Sequence, residues 1–163
     1  MRDEAEQKGD NAAVGLGARR GRDAEGVSVD AVRRSYEAFA RHDLDGALAM
    51  MDEDIVWHQA QGLPHGGVYH GLREVRANVF DPIDVSWWEN FKADPDEVIG
   101  LGDDVVVLGR YTATAKETGK PLDVPFAHVW RFRDGRAVRF HQFTDTRGWV
   151  EALTVPGTVK ENA

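Results

Sequence analysis

The chain has 163 residues, a formal net charge of −8 and no cysteine. That length fits one domain around a single core, and the missing thiols exclude disulfides, thiolate metal sites and cysteine nucleophiles. The acidic balance, with basic residues scattered among acids, offers no footprint for a nucleic-acid backbone.

No apolar run approaches the roughly 20 residues that span a bilayer, and the opening MRDEAEQKGD lacks the apolar stretch of a secretory signal. The expected location is the cytoplasm, with no membrane partner. Residues 1–26 mix charges of both signs with Gly and Ala and have no apolar period, which predicts a flexible tail; the alternative is a short docking helix through Arg19, Arg20 and Arg22. The folded domain is expected over 27–155, with 156–163 as a second tail.

From Ser28 onward Val29, Val32, Tyr36 and Phe39 recur at steps of three and four, a helical stripe with Ser28 as its cap. Asp43 caps a second short helix that carries Leu44, Ala47, Leu48 and Met51 inward. Ile55 to His58 reads as a strand, and the Gly-rich segment 62–71 as a loop. Leu72, Val75, Val79 and Phe80 restore helical spacing up to Pro82. Three long β segments follow, Trp87 to Leu101, Asp104 to Lys116 and Leu122 to Arg133. Asp134-Gly135 then makes the strongest hairpin signal in the chain, leading into a last strand that ends near Asp145. Trp149, Val150 and Leu153 form a closing turn of helix.

Helices first and antiparallel strands after argue for an α+β fold. A curved sheet wrapped round three helices leaves an open end, which makes a concave, mostly apolar pocket.

Alternation along 126–132 puts Phe126, His128, Trp130 and Phe132 on one face, so a histidine shares an aromatic wall where its charge can change near neutral pH. The competing reading is a core histidine with satisfied bonds. On the next strand the same alternation groups His141, Phe143 and Asp145. Asp145 is either an acid or base at the end of an aromatic strand or the cap of the terminal helix. Counting from a two-residue turn sets His128 opposite His141. Trp57, Trp88 and Tyr111 are further candidates for the pocket wall. Adjacent Trp87 and Trp88 face opposite sides of a regular strand, and the outward one predicts a homodimer.

His58, His65, His70 and His141 match no zinc spacing, so no metal is expected. The sequence has no Gly-rich phosphate fingerprint and no serine elbow.

Four phrases together resemble the SnoaL-like polyketide cyclase and ketosteroid isomerase-related branch of the nuclear transport factor 2-like superfamily. They are Tyr36 to Phe39, Asp54 to Trp57, Gly67-Val68-Tyr69-His70-Gly71, and the closing run from Asp134 to Thr146. The resemblance covers about residues 28–153. It implies a cone of three helices packed into a strongly curved, mainly antiparallel sheet, a homodimer through the sheet's outer face, and no cofactor. By the same resemblance the ligand is a small hydrophobic carbonyl compound that undergoes proton transfer. Asp145 takes the place of the catalytic aspartate, and the resemblance carries no further; His128, from its place on the aromatic strand face, is expected to share the work. Trp57, Tyr69, Phe80, Trp88, Tyr111, Phe126, Trp130, His141 and Phe143 are expected to bind substrate. A domain of the same shape that holds a ligand without changing it is the alternative.

Overall fold

A computed structural model describes residues 10–155. Helix α1 runs Asp10–Ala40 and presents Ser28, Val32 and Tyr36, four residues apart, to the core. The flexible tail predicted over 1–26 is therefore corrected for residues 10–26, which are helical, while 1–9 lie outside the described residues. Once the packed turns around Val32 and Tyr36 have met the cost of nucleation, each further turn adds backbone bonds cheaply. Ser28 is accordingly not a cap: it lies within the helix, where its hydroxyl donates to the Ala24 carbonyl at 3.1 Å.

Asp43 does cap α2 (Leu44–Leu48), accepting the Gly46 amide at 2.9 Å. Then come β1 (Met51–Gln59), β2 (Gly67–His70) and α3 (Gly71–Val75). The segment predicted as a loop thus contains a strand, β2, because Gly67 to His70 pair antiparallel with Gln59 to Val56. The third helix passes straight through Pro82 as two π-helical turns, Arg76–Phe80 and Pro82–Trp87, with the proline at the start of the second, where no amide is needed. Four strands complete the sheet: β3 (Trp88–Leu101), β4 (Asp104–Ala115), β5 (Pro121–Arg133) and β6 (Arg136–Thr144), followed by α4 (Thr146–Leu153).

The six strands lie in the order β2-β1-β6-β5-β4-β3, antiparallel throughout except for the β1–β6 pair. Helices pack on one face of this curved sheet, an α+β architecture. Their shared core includes Val32 and Tyr36 of α1, Trp57 of β1, Val105, Val107 and Tyr111 of β4, and Phe126 and Trp130 of β5.

The β5–β6 hairpin decides which residues of β6 reach that core. Its turn residues Asp134 (φ 51°) and Gly135 (φ 76°) both take the left-handed conformation that matches the twist of the strands. Arg133 faces Arg136 and Phe132 faces Ala137, but the next pair is Arg131 with Arg139, so Val138 is an extra residue. From that bulge on, every side chain of β6 changes face. His128 faces Gln142, not His141, and the inward residues are Phe140 and Gln142.

Trp88 is only 2% exposed and meets Trp149 edge-on at 5.3 Å, while half-buried Trp87 lies edge-on to His65 at 4.9 Å. Trp87 is in a π-helical turn, so strand alternation does not apply to the pair, and the outward tryptophan expected at a dimer face is absent.

Gly109 of β4 faces Phe126 of β5, and a Cβ built there would sit 2.2 Å from the Asp94 carbonyl oxygen and 2.6 Å from the tip of the Phe126 ring. Backbone cannot yield as a flexible side chain can. Gly109→Ala is therefore expected to cost about 1–3 kcal/mol, read as a melting temperature lower by several degrees; an unchanged melting curve would show that β3 relaxes at no cost.

Candidate functional site

Between α1, the π-helical segment and the concave face of the sheet lies a partly open cavity of about 70 Å³. Its wall is apolar and aromatic: Phe39, Trp57, Phe80, Phe91, Trp130 and Phe140 are among the lining residues, and no Asp, Glu, Lys or Arg is. Trp57 stacks on Phe140 with centroids 3.7 Å apart and meets Trp130 edge-on at 5.7 Å. Such aromatic pairs add rigidity beyond the area they bury.

At one side of this space, buried His128 lies between two buried tyrosines. The Tyr36 hydroxyl is 2.5 Å from His128 Nδ1, and the Tyr111 hydroxyl makes a short contact with Nε2. Each phenol also has a fixed donor. Trp130 Nε1–H donates to the Tyr36 oxygen at 3.3 Å, and Gln142 Nε2–H donates to the Tyr111 oxygen at 2.9 Å. The Gln142 amide is oriented by the Ala60 backbone N–H, which donates to its Oε1 at 3.1 Å. Phe126 covers the imidazole, stacked at 4.0 Å.

Burial pulls the His128 pKa down to about 3, so the ring is neutral at physiological pH. Burial also raises both phenols. For Tyr36 the Trp130 bond opposes the rise and neighbouring Tyr111 adds to it; for Tyr111 the Gln142 bond opposes it. The whole cluster is uncharged.

A neutral imidazole has one N–H and one lone pair. It therefore accepts from one tyrosine and donates to the other, and the tyrosine that receives the N–H has its own O–H left over. Both tyrosines line the cavity. The site thus offers a phenolic proton to an acceptor in an apolar surround, where such a bond is strong.

A second polar group closes the β1 side. Trp57 Nε1–H donates to Gln59 Oε1 at 2.8 Å, and Gln59 Nε2–H donates to His65 Nε2 at 2.8 Å. This leaves the proton of His65 on Nδ1, which is buried without a partner, and burial lowers the pKa of His65 to about 4. Phe39, Phe80, Ile83 and Phe91 are shared with a neighbouring pocket that adds His42, Asp81, Asp84 and Trp88.

Of the residues expected from sequence, Trp57, Phe80, Tyr111, His128 and Trp130 line the cavity. Phe126 stacks on His128 without lining the cavity, and Trp88 belongs to the neighbouring pocket. Tyr69 is tied elsewhere, its hydroxyl donating to the His65 carbonyl at 2.7 Å. His141 and Phe143 are corrected to the outer face: His141 stacks between His58 at 4.9 Å and Phe143 at 4.4 Å, and Phe143 is 50% exposed. Asp145 is corrected too. It is exposed and caps α4, accepting the Gly148 amide at 3.2 Å, so it does not join His128 at the cavity. The β6 bulge accounts for all three.

Tyr36, Gln142 and Gln59 are the site residues the sequence reading missed. Tyr36 is visible in the sequence as part of the α1 stripe, and Gln142 reaches the core only through the β6 bulge. Among the described residues no group of three His, Asp or Glu is placed to hold a metal, and no helix is long and apolar enough to cross a membrane.

The two buried neutral histidines fix the sign of a pH effect. Their folded pKa values, about 3 and about 4, lie below the unfolded value of roughly 6.5, so the unfolded chain binds more protons in between. Stability is fully present above pH ~6.5 and falls as pH is lowered toward 4, by about 1.4 kcal/mol per unit per histidine. Melting temperatures from pH 7 to 4.5 should decline steeply, and less so in His128→Gln; a flat profile would contradict neutral burial.

Comparison with known proteins places this geometry. The SnoaL-like domain family matches residues 32–140, more than half of the chain. A nuclear transport factor 2-like protein from Burkholderia thailandensis superposes with a TM-score of 0.75 at 34% identity, over 78% of this chain and 98% of its own. One of unknown function from Burkholderia pseudomallei gives 0.73 at 37% identity, over 79% and 98%. TerC, co-crystallised with polyporic acid, gives 0.70 at 27% identity, over 78% and 98%. No curated protein matches the chain in sequence. The fold, the matched span and these identities agree, and the chain belongs to the SnoaL-like family of nuclear transport factor 2-like proteins.

Proposed function

We propose that the domain takes up a small, neutral, hydrophobic molecule, holds it by a carbonyl oxygen, and acts on it as a cofactor-independent acid/base catalyst of the cyclase or isomerase type. The observation that carries this reading is the Tyr36–His128–Tyr111 chain set in a cavity with no charged lining residue. The spare phenolic proton stabilises charge developing on a carbonyl oxygen, a role whose value grows where water is excluded. TerC, a relative of similar shape, was crystallised with a small molecule. A second reading, binding without turnover, is favoured by one feature: Asp145 stands outside, and the cavity lining contains no carboxylate to remove a proton from carbon.

One probe separates the readings. 2-Tetralone, a bicyclic ketone, is expected to quench the fluorescence of Trp57 and Trp130 on titration, whereas anionic 2-naphthoate binds at least tenfold more weakly. The double variant Tyr36→Phe with Tyr111→Phe should weaken 2-tetralone binding about tenfold, the worth of one good hydrogen bond, and Asp145→Ala should leave it unchanged. Catalysis would appear as faster exchange of the protons next to the carbonyl in deuterated water; binding with no acceleration leaves the second reading. No binding of 2-tetralone, or equal binding of 2-naphthoate, refutes the proposal.

The partner on the sheet's outer face is proposed to be a second copy of the chain. Ile99, Val106, Val129, His141, His58 and Val68 form one cross-strand row over all six strands, with Leu108, Ala127 and Phe143 in the next. Sedimentation at micromolar concentration should give a dimer that Phe143→Asp dissociates; a wild-type monomer would exclude it.

A further inference from the structure

The hydrogen-bond inventory around His128 has a symmetry that a single proton donor does not need. Each phenol oxygen already accepts one bond that cannot reverse, since an indole offers only a donor and the Gln142 amide is oriented by the Ala60 N–H. Each tyrosine is left with one lone pair and one O–H, and His128 with one of each. Two arrangements satisfy this equally well. In the first, Tyr111 O–H donates to Nε2, Nδ1–H donates to the Tyr36 oxygen, and the Tyr36 O–H faces the cavity. In the second, Tyr36 O–H donates to Nδ1, Nε2–H donates to the Tyr111 oxygen, and the Tyr111 O–H is free.

We propose that Tyr36, His128 and Tyr111 form a two-way neutral proton relay, and that the substrate carries both a hydroxyl or enol O–H and a carbonyl oxygen, one placed at each tyrosine. This rests on the functional reading above and narrows its substrate class. With the first arrangement as the start, the substrate O–H gives its proton to the Tyr111 oxygen. Tyr111 gives its own proton to Nε2, Nδ1–H passes to the Tyr36 oxygen, and the Tyr36 proton goes to the substrate carbonyl oxygen. In an enol substrate, the pair freed from the O–H bond becomes the π bond of a new carbonyl, and the enol C=C π pair forms the bond from the enol carbon to the carbonyl carbon, closing a C–C ring. In an alcohol, the oxygen's own pair forms the bond to the carbonyl carbon and closes a cyclic hemiketal. The carbonyl π pair takes up the arriving proton.

Four protons move, none is gained or lost, and no ion is created. The relay ends in the second arrangement, ready to run the other way. Such chemistry needs no carboxylate, which matches a lining without one. It also suits a histidine and two phenols that burial holds in their neutral forms, because no intermediate on the path carries the charge that burial penalises.

The test reads proton positions directly, by nitrogen-15 NMR of the full chain with labelled histidine. In the wild type both ring nitrogens of His128 are expected at shifts intermediate between protonated and unprotonated, the mark of two exchanging tautomers. A phenol donates to an imidazole lone pair more strongly than it accepts from its N–H, so a lone remaining tyrosine selects the tautomer. Tyr36→Phe should therefore put the proton on Nδ1 and Tyr111→Phe should put it on Nε2. Opposite tautomers in the two variants, with intermediate shifts in the wild type, support the relay. A single tautomer in the wild type, with and without 2-tetralone, overturns it, and that measurement stands even where a variant fails to fold. If 2-tetralone still binds in that case, the relay alone has failed; if it does not bind, the functional reading has failed with it.

Discussion

The buried imidazole of His128 sets obligations that much of the domain exists to meet. Two ring nitrogens removed from water require two partners, and an unmet one costs about 1–3 kcal/mol. Tyr36 from α1 and Tyr111 from β4 supply them, but each phenol oxygen is buried as well. Those needs pass to Trp130 on β5 and to Gln142 on β6, and from Gln142 to the Ala60 backbone at the end of β1. One chain of hydrogen bonds thus ties a helix, three strands and the loop after β1 into a single geometry. The apolar cavity beside it inherits that rigidity, since its lining residues Tyr36, Tyr111, Trp130 and Gln142 are the same side chains that the network immobilises.

The order of elements save for β2, the Asp43 cap, the Asp134-Gly135 turn and the inward face of β5 were legible in the sequence, because each follows from a local rule of period or backbone conformation. What could not be read was the extra residue at Val138. A bulge leaves no mark in composition, yet it moves Phe140 and Gln142 into the core and turns His141 and Phe143 outward. The Asp145 reading failed for the same reason. Once β6 has changed face, the strand ends with Asp145 exposed, and capping α4 is the use left to it. The Tyr36 error had a different source. A tyrosine on an amphipathic stripe looks like packing until the strand opposite is known to carry a histidine at the same level.

Asp145 in a pocket would have implied an anionic site that takes protons from carbon. The observed cluster is neutral, and its polar atoms are satisfied in pairs save for one phenolic O–H. A site of that kind discriminates by charge more than by shape. An anion entering it would lose its hydration and meet no cation among the lining residues, a penalty of several kcal/mol, whereas a carbonyl exchanges one hydrogen bond for another at little cost.

The surroundings of the cavity reinforce that choice. The wall opposite the sheet is built from two π-helical turns, which carry Val79, Phe80 and Ile83 to the cavity and leave Asp81 and Asp84 on a neighbouring pocket that shares Phe39, Phe80, Ile83 and Phe91 with it. Two carboxylates beside the cavity, on a chain of net charge −8, disfavour an anion nearby. A neutral molecule meets neither that field nor the desolvation penalty of an ion. On the reading proposed above, the dry, cation-free lining of the cavity leaves the tyrosines to an uncharged ligand.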